Sequence, residues 1–281
     1  MSPPPPAAAA PEFRQLLPEP GTVTVDEALG GLNPVAHAHR DRPHTLVNFV
    51  TSVDGRAAFQ GRSAPLSDPG DRAMFHGLRE RVDAVMAGTA TMRTERYGRM
   101  ARDPERRRRR QERGLTPEPL AVIVTRSGDV PFDIPLFGEP EARVVIFTPT
   151  ELDTSTYAAQ VEVVRLDPGQ MTMTTAWRRL TSDFGVRTLL CEGGPHLNGQ
   201  LLLAGLVDEL FLSFSPKLAG GEDATGEALR IVAGAQFAEP LELELLSALE
   251  SASTLFLRYG VRASAPERVS RETMPSSSLA S

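Results

Sequence analysis

The stretch Cys191–Gly199, CEGGPHLNG, decides how this chain is expected to fold. The apolar run VRTLL stands directly before it, and the amphipathic segment GQLLLAGLVDEL follows. The pattern predicts a buried strand ending at Glu192, a turn at Gly193-Gly194, and a helix with Pro195 in its first turn. Ligands of open parallel sheets bind where the strands end. A carboxylate at this position therefore indicates a role in a ligand-binding or catalytic site. A plain Gly-Gly link between strand and helix is the alternative.

Composition limits the class of protein. The chain has 281 residues, 41% of them hydrophobic and 23% charged, with a net charge of −6. These values are typical of a globular protein and exclude an overall basic nucleic-acid footprint. No apolar run is long enough for a membrane span, so no membrane partner is expected. Cys191 is the only cysteine, which excludes a disulfide framework and a cysteine-rich zinc site. We expect a cytoplasmic protein without a metal.

Strand and helix patterns alternate along most of the chain. Short apolar runs such as TLVNFVT, VDAVMAG, LAVIVT, ARVVIF and VEVVRL predict strands buried on both faces. SDPGDRAMFHGLRER predicts a helix capped by Ser67 or Asp68, with Pro69 in its first turn. The C-terminal run from Leu241 to Val261 predicts two further strands joined by a turn. The fold class is therefore α/β, with a mainly parallel central sheet flanked by helices and antiparallel C-terminal strands.

Composition divides the chain into an N-terminal extension, an ordered domain and a C-terminal tail. Residues 1–44 predict a largely flexible N-terminal extension with a short helix near Val25–Leu29, and residues 45–262 predict the ordered domain. Residues 263–281 predict a disordered tail. The arginine-rich loop between Met100 and Glu118 is interpreted as a solvated surface loop or helix, with phosphate binding as the alternative.

Two further segments resemble ligand sites. VMAGTATMRTE repeats the order strand, glycine, helix, with the hydroxyls of Thr89 and Thr91 beside the helix start after Gly88. Two such turns in one sheet would suit a dinucleotide with several phosphates. A third segment places Asp54-Gly55 at the end of the first long strand, where a simple turn is the alternative.

These segments together resemble a known family. SVDGR, GRSAPLSDPGDRAMFHGLRERVDAVMAGTATMRTE and TLLCEGGPHLNGQLLLAGLVDELFLSFSPKLAGG occur in this order and look like the reductase domain of riboflavin-biosynthesis pyrimidine reductases. The resemblance covers about Thr45 to Tyr259. It implies a stand-alone reductase domain over residues 45–262 with a dihydrofolate-reductase-like fold. It also implies NADPH as cofactor, a small-molecule pyrimidine substrate and a homodimer. The zinc deaminase signature of the two-domain members is absent from this sequence.

The resemblance also implies roles for individual residues. Asp54 and Glu192 are the candidate catalytic groups. Glu192 is expected to matter to substrate more than to folding, and Arg126 is placed where it could pair with the 2′-phosphate of NADPH. Substrate contacts are implied for Ser63, Arg79, Arg99 and Glu192. Cofactor contacts are implied for Val50, Gly88, Thr89, Thr91, Glu95, Thr125, Arg126, Gly193, Gly194, Pro195, His196, Leu197 and Asn198.

The sequence departs from the family pattern around the expected substrate. Pro65 stands where a tryptophan is frequent, and TERYGR replaces an Asp-Asp-Pro motif. Two alternatives therefore remain open. The first is a dihydrofolate-reductase-like enzyme that reduces a pterin, with Asp71 as proton donor; as a first-turn acid, Asp71 would equally favour the helix dipole. The second is a non-catalytic nucleotide-binding protein.

Overall fold

An eleven-stranded sheet with helices on its faces forms the body of the molecule. The computed structural model describes residues 10–221 and 229–262. The strands are β1 (Phe13–Leu17), β2 (Gly21–Val23), β3 (His44–Ser52), β4 (Ala84–Met86), β5 (Leu120–Val124), β6 (Arg143–Thr148), β7 (Gln160–Arg165), β8 (Thr188–Cys191), β9 (Glu209–Ser215), β10 (Leu243–Ser251) and β11 (Thr254–Val261). The helices are α1 (Val25–Ala28), α2 (Pro69–Arg79), α3 (Thr89–Thr94), α4 (Pro104–Glu112), α5 (Met173–Phe184) and α6 (Pro195–Leu203).

The strand order explains where a ligand can enter. Across the sheet it is β2-β1-β10-β11-β9-β3-β8-β4-β5-β6-β7. Neighbours from β9 to β7 run parallel, while β11, β10, β1 and β2 add antiparallel pairs. Because β3 lies between β8 and β9, the turns that follow β3, β8 and β4 meet at the carboxyl edge of the sheet. The predicted mixed α/β fold class is confirmed.

Burial separates the central strands from the edge. β4 and β8 are buried at every position, and Trp177 of α5 is fully buried with its indole N–H donating to Thr45 Oγ1 at 2.9 Å. β7 differs from the prediction of a strand buried on both faces, because it is the last strand of the sheet and alternates in exposure. The charged Glu162 between two valines in VEVVRL is the sequence feature that indicates this alternation.

The helix boundaries follow the expected capping chemistry. Asp68 caps α2, its side chain accepting a hydrogen bond from the amide of Asp71, and Pro69 begins the helix as predicted. α5 begins after Thr172 and ends at Gly185, whose φ of +64° is the left-handed conformation that glycine adopts without strain.

The N-terminal segment is more ordered than predicted. Phe13 is fully buried, and β1 pairs with β10, so the expectation of a largely flexible extension over residues 1–44 is wrong for this part. Leu29, just after α1, packs so closely on α2 that a Cβ at Gly77 would lie 2.8 Å from its Cδ1. The abundance of Pro and Ala led to the prediction of flexibility, although FRQLL has the short alternating pattern of a strand. The predicted tail over residues 263–281 lies outside the described residues.

An ion-pair cluster fastens this segment at the amino edge of β3 and β9. Asp208 accepts two hydrogen bonds from Arg42, each 2.7 Å long, and one from the amide of Thr45. His39 and His44 stand close enough to Asp208 for the three side chains to hold a metal ion. The carboxylate is already neutralised by Arg42, so this cluster is interpreted as a structural anchor.

The arginine-rich segment forms α4 and docks on the end of α2. Arg106 and Arg109 bind the buried carboxylate of Glu80, and the guanidinium of Arg110, which is fully buried, donates to the carbonyl oxygens of Arg79 and Val82. The prediction of a surface helix holds for its outer face only. Among the described residues, no helix is long and apolar enough to cross a membrane.

Candidate active site

A cleft of about 1030 Å³ opens at the carboxyl edge of the parallel strands. The end of β3, the face of α2 and the starts of α3 and α6 form its walls. The predicted site residues that line it are Val50, Ser63, Arg79, Gly88, Thr89, Thr91, Glu95, Arg99, Glu192, Gly193, Gly194, Pro195, His196 and Leu197. The structure thus brings together residues that are far apart in sequence.

The two glycine turns contact each other through their backbones. The amide of Gly88 donates to the carbonyl oxygen of Gly193 at 2.7 Å. A Cβ at Gly194 would lie 2.8 Å from Thr91 Oγ1, and one at Gly193, whose φ is +96°, would lie 3.1 Å from the ring of Phe49. The peptide bond between Gly193 and Gly194 is cis. Glycine is therefore required here for close backbone approach, not only as a link.

The two helix starts at the glycine turns line the cleft. Gly88 and Gly194 are the N-cap residues of α3 and α6, and neither helix start has a capping side chain. The hydroxyls of Thr89 and Thr91 are also on this wall. Unpaired N–H groups and hydroxyls suit a phosphate-bearing ligand. α3 has only six residues, so the longer α6 supplies the stronger dipole.

Glu192 is held by two side chains inside the cleft. Its Oε1 and Oε2 accept from Arg79 Nε and Nη2 at 2.6 and 2.7 Å, and Oε2 also accepts from the hydroxyl of Tyr97 at 2.8 Å. Burial, and then the negative charge of Glu192, raises the pKa of Tyr97 well above its usual value. The guanidinium of Arg79 also lies 4.2 Å from the ring centroid of Phe75. Arg79 and Glu192 therefore bind each other, whereas the sequence suggested two separate substrate contacts.

Asp54 lies outside the cleft, unlike the position expected of a catalytic group. It accepts hydrogen bonds from the hydroxyl of Ser52 at 2.5 Å and from the amides of Ala219 and Gly220 at 3.0 and 2.7 Å. The hydrogen bond from Ser52, and then those from the two amides, lower the pKa of Asp54. An ionised, exposed carboxylate that fastens a turn is a poor proton donor.

Asp71 is, beside Glu192, a second buried acid of the cleft. It lines the cavity with only 7% of its surface exposed, and Ser67 Oγ donates to its Oδ2 at 2.6 Å. Burial raises the pKa of Asp71, although the hydroxyls of Ser213 and Ser67 act in the opposite direction. The environment therefore favours the protonated form of this carboxyl group more than at an exposed site.

Cationic side chains of α2 and of the segment after α3 form one wall of the cleft. Arg99, predicted to bind substrate phosphate, is paired with Glu118 at 3.2 Å and with Glu141. Arg72 and Arg102 also line the cleft, and within the described residues neither has a carboxylate partner. The Arg102 guanidinium lies against Gly98, where a Cβ would collide with it. These two arginines are better placed than Arg99 to meet an anionic group of a ligand.

His76 shows the effect of that positive environment. It lines the same wall, where burial, followed by the charges of Arg106 and Arg79, lowers its pKa to about 4. The imidazole is therefore neutral at physiological pH. Sequence reasoning missed His76, Arg72, Arg102 and Tyr97, because nothing in their spacing separates them from ordinary helix and loop residues. The departure of TERYGR from the family pattern was the available signal for Tyr97.

The remaining predicted cofactor residues lie outside the lining of the cleft. Thr125 and Arg126 follow β5, and Arg126 Nη2 is 3.5 Å from the carbonyl oxygen of Met171. Neighbouring Val124 and Met173 do reach the cleft, so Arg126 stands at its rim. Asn198 turns away from the cavity, with its side-chain N–H donating to the carbonyl oxygen of Ile231 at 2.7 Å.

The open sheet, the paired glycine turns and the adjoining cleft define an α/β protein built to bind a nucleotide-like ligand. Residues 43–257 match the family model described as the RibD C-terminal domain, and the chain belongs to that family. The resemblance noted from the sequence is confirmed, and the family's redox chemistry implies a nicotinamide cofactor.

Relatives and solved structures agree with this placement. The chain is 27% identical over 234 residues to the 2,5-diamino-6-ribosylamino-4(3H)-pyrimidinone 5′-phosphate reductase of Methanothermobacter thermautotrophicus, covering 79% of this chain and 99% of that protein. It is 32% identical over 205 residues to the riboflavin biosynthesis protein RibD of Mycobacterium tuberculosis, covering 72% of this chain and 50% of that protein. A pyrimidine reductase-like protein from Corynebacterium diphtheriae shares the fold, with a TM-score of 0.68 at 23% identity over 86% of this chain and all of that one.

Proposed function

We propose that the protein is an NADPH-dependent reductase that converts a phosphorylated ribosylamino-pyrimidine to its ribitylamino form. The observation that carries the proposal is the composition of the cleft. The two glycine turns, whose helix starts have no capping side chain, line it together with Arg72 and Arg102, which have no carboxylate partner within residues 10–221 and 229–262. Such a cleft fits two phosphate-bearing molecules side by side, as a reductase with a phosphorylated substrate requires.

The residues present fit the cofactor. A side chain at Gly194 would collide with Thr91, so glycine lets the two helix starts lie close enough to bind one pyrophosphate together. Thr89 and Thr91 offer hydroxyls to the same group, and Arg126 at the rim offers a guanidinium to a 2′-phosphate. When bound beside Val50, the nicotinamide would supply a hydride for C1′ of the ring-opened ribosyl group.

The substrate would occupy the side of the cleft formed by α2 and the segment after α3. Arg102, with Arg72, would hold its phosphate, and Ser63 would approach its ribosyl hydroxyls. The Arg79–Glu192 pair, covered by Phe75, would form a rigid polar floor for the pyrimidine ring. Holding the reacting carbon against the hydride source is the main task of these residues.

The reaction also requires a proton for the nitrogen that becomes an amine. Asp71 fits this need, because it is a buried cleft carboxyl group whose pKa is raised. Glu192 is occupied by Arg79, and Asp54 is outside the cleft. We therefore assign proton donation to Asp71 and a positioning role to Glu192.

The family context favours a homodimer and a cytoplasmic location, and both are part of the proposal. A sedimentation measurement of the full chain would test the dimer. A mass equal to one chain under assay conditions would remove the dimer from the account.

The function is tested by NADPH oxidation with a panel of substrates. The panel consists of the diamino-ribosylamino-pyrimidinone phosphate, the corresponding aminouracil and dihydrofolate. We expect turnover with one or both pyrimidines, and the ratio between them assigns the substrate. Efficient turnover of dihydrofolate alone would replace the proposal by a pterin reductase, and NADPH binding without any turnover would indicate a binding protein.

A further inference from the structure

The loop over residues 57–66 forms part of the cleft but has almost no core of its own. Ala57, Gly61 and Ser63 are among its cleft-lining residues, while Leu66 is its only buried hydrophobic residue, at 2% exposure. A single bridge, Phe59 to Arg62, is its only strand-like pairing in the described chain. A loop with so little apolar burial depends mainly on polar contacts for its position.

One such contact comes from the helix side of the cleft. Glu95, just after α3, accepts hydrogen bonds at Oε1 from both the amide and the hydroxyl of Ser63, each 2.9 Å long. Glu95 therefore fixes the middle of the loop, although the sequence suggested a cofactor contact for it.

The other end of the loop is held by Lys217, the only lysine of the chain. Its ammonium donates to the carbonyl oxygens of Pro65 and Leu66 at 2.7 and 3.3 Å. An ammonium carries three donors and no acceptor, so it can bind both carbonyl groups at once. Lys217 does not line the cleft, which separates it from groups that touch a ligand.

The segment that carries Lys217 is held by the backbone of Val53 and the side chain of Asp54. The amide of Val53 donates to the carbonyl oxygen of Lys217 at 2.8 Å, and the next turn is fastened by the hydrogen bonds from Ala219 and Gly220 to Asp54. A continuous set of contacts thus runs from Asp54 through the segment after β9 to Lys217, and from there to the loop that carries Ser63.

We propose that Lys217 and Asp54 are positioning residues that set the loop over residues 57–66 against the substrate side of the cleft. The part of this inference that concerns turnover rests on the proposed function. The part that concerns the loop does not, because it can be measured without substrate. Misplacement of a substrate-facing loop by a fraction of an ångström to one ångström lowers the efficiency of an enzyme substantially.

The test uses Lys217→Met, which keeps the length of the aliphatic chain but removes the three donors. Lys217→Arg restores a cation with several donors and serves as the rescue variant. Arg165→Met removes an exposed cation from the distant edge strand β7 and is the matched control. Asp54→Asn is the second variant, because an N–H₂ donor replaces one of its two acceptor oxygens and would face the amide of Ala219 or that of Gly220. Since Lys217 is exposed, its replacement should leave the fold intact.

Amide hydrogen exchange of the full chain without ligand is the first readout. We expect exchange at Arg62, Ser63 and Leu66 to accelerate about tenfold in Lys217→Met and Asp54→Asn, consistent with the loss of a hydrogen bond to a charged group. Lys217→Arg should recover most of the protection, and Arg165→Met should not differ from the unmodified protein. Unchanged exchange in Lys217→Met would overturn the proposal, whatever the substrate of the enzyme is.

Steady-state kinetics with the pyrimidine substrate is the second readout. KM should rise about tenfold in Lys217→Met with the affinity for NADPH unchanged, because the loop lies on the substrate side. Accelerated exchange with an unchanged KM would show that the loop does not position substrate and would overturn the functional half of the inference. Failure of the unmodified protein to turn over any pyrimidine contradicts the proposed function instead, while the exchange result still decides the role of Lys217.

Discussion

Arg79 and Glu192 form a buried two-pronged ion pair in the wall of the cleft, with N–O distances of 2.6 and 2.7 Å. They stand 113 positions apart in the chain and join α2 to the end of β8. Two groups that the sequence assigned separately to substrate are thus a single unit, and its members cannot be changed independently. The hydroxyl of Tyr97 completes the set of donors to Glu192.

Replacement of Glu192 should affect both folding and turnover. Glu192→Gln leaves Arg79 buried beside a neutral amide, and breaking such a pair costs about 3 kcal/mol. We expect a melting temperature lower by roughly 6–12 °C, measured by calorimetry, and a kcat/KM reduced at least tenfold. Tyr97→Phe removes one hydrogen bond and should cost only about 1 kcal/mol. Normal stability of Glu192→Gln with reduced turnover would instead agree with the sequence-based expectation that Glu192 matters to substrate more than to folding.

The two arginines after α3 should behave differently. Arg102→Ala should raise KM for the phosphorylated substrate about 10- to 100-fold, since a charge-assisted contact to phosphate contributes about 1.5–3 kcal/mol. Arg99→Ala should instead lower stability, because Arg99 binds Glu118. Initial rates over a range of substrate concentrations, with melting curves in parallel, separate the two effects. A large KM effect confined to Arg99→Ala would place the phosphate beside that residue instead.

Cofactor preference should depend on Arg126. We expect NADPH to bind more tightly than NADH, and Arg126→Ala to weaken NADPH binding about tenfold while leaving NADH unaffected. Arg143→Ala, which removes an exposed arginine from the start of β6, is a suitable control. Fluorescence titration gives both dissociation constants. Equal affinities of the unmodified protein for the two cofactors would contradict the assignment.

Asp71 should lower stability at neutral pH while supporting catalysis. Its pKa in the folded protein is raised above 3.8, so the folded state retains a proton that the unfolded state has already released. The stability that this proton confers is present below pH 3.8 and is lost as pH rises through the higher folded-state pKa. The charges of Asp68, which raises this pKa, and of Arg72, which lowers it, also act on the group.

Asp71→Asn removes this titration and keeps an oxygen to accept from Ser67. We expect the variant to be more stable than the unmodified protein at neutral pH and to lose most of its activity. Denaturant titrations at several pH values give the first result, and the pH profile of kcat/KM gives the second. A variant with an unchanged profile would remove Asp71 from the proton-transfer step.

The local sequence pattern predicted much of the fold. The features that it missed depend on contacts between distant residues. The turn at Gly193-Gly194 and the helix start at Pro69 are signals within a few residues, and both were predicted, with Ser67 and Asp68 as the two candidate caps. β1 was missed because its stability comes from pairing with β10, more than 200 positions later. The partners of Glu192 and Asp54 were missed for the same reason, since hydrogen bonds between distant residues leave no periodic trace in a sequence.

The most direct test of the central claim follows the hydride itself. The protein is incubated with the phosphorylated ribosylamino-pyrimidine and NADPH that carries deuterium at the transferable position of C4. Mass spectrometry and NMR of the product then locate the label. The account predicts a ribitylamino product with deuterium at C1′ and an equal amount of oxidised NADP. Oxidation of NADPH without deuterium at C1′, or the absence of any ribitylamino product, would contradict it.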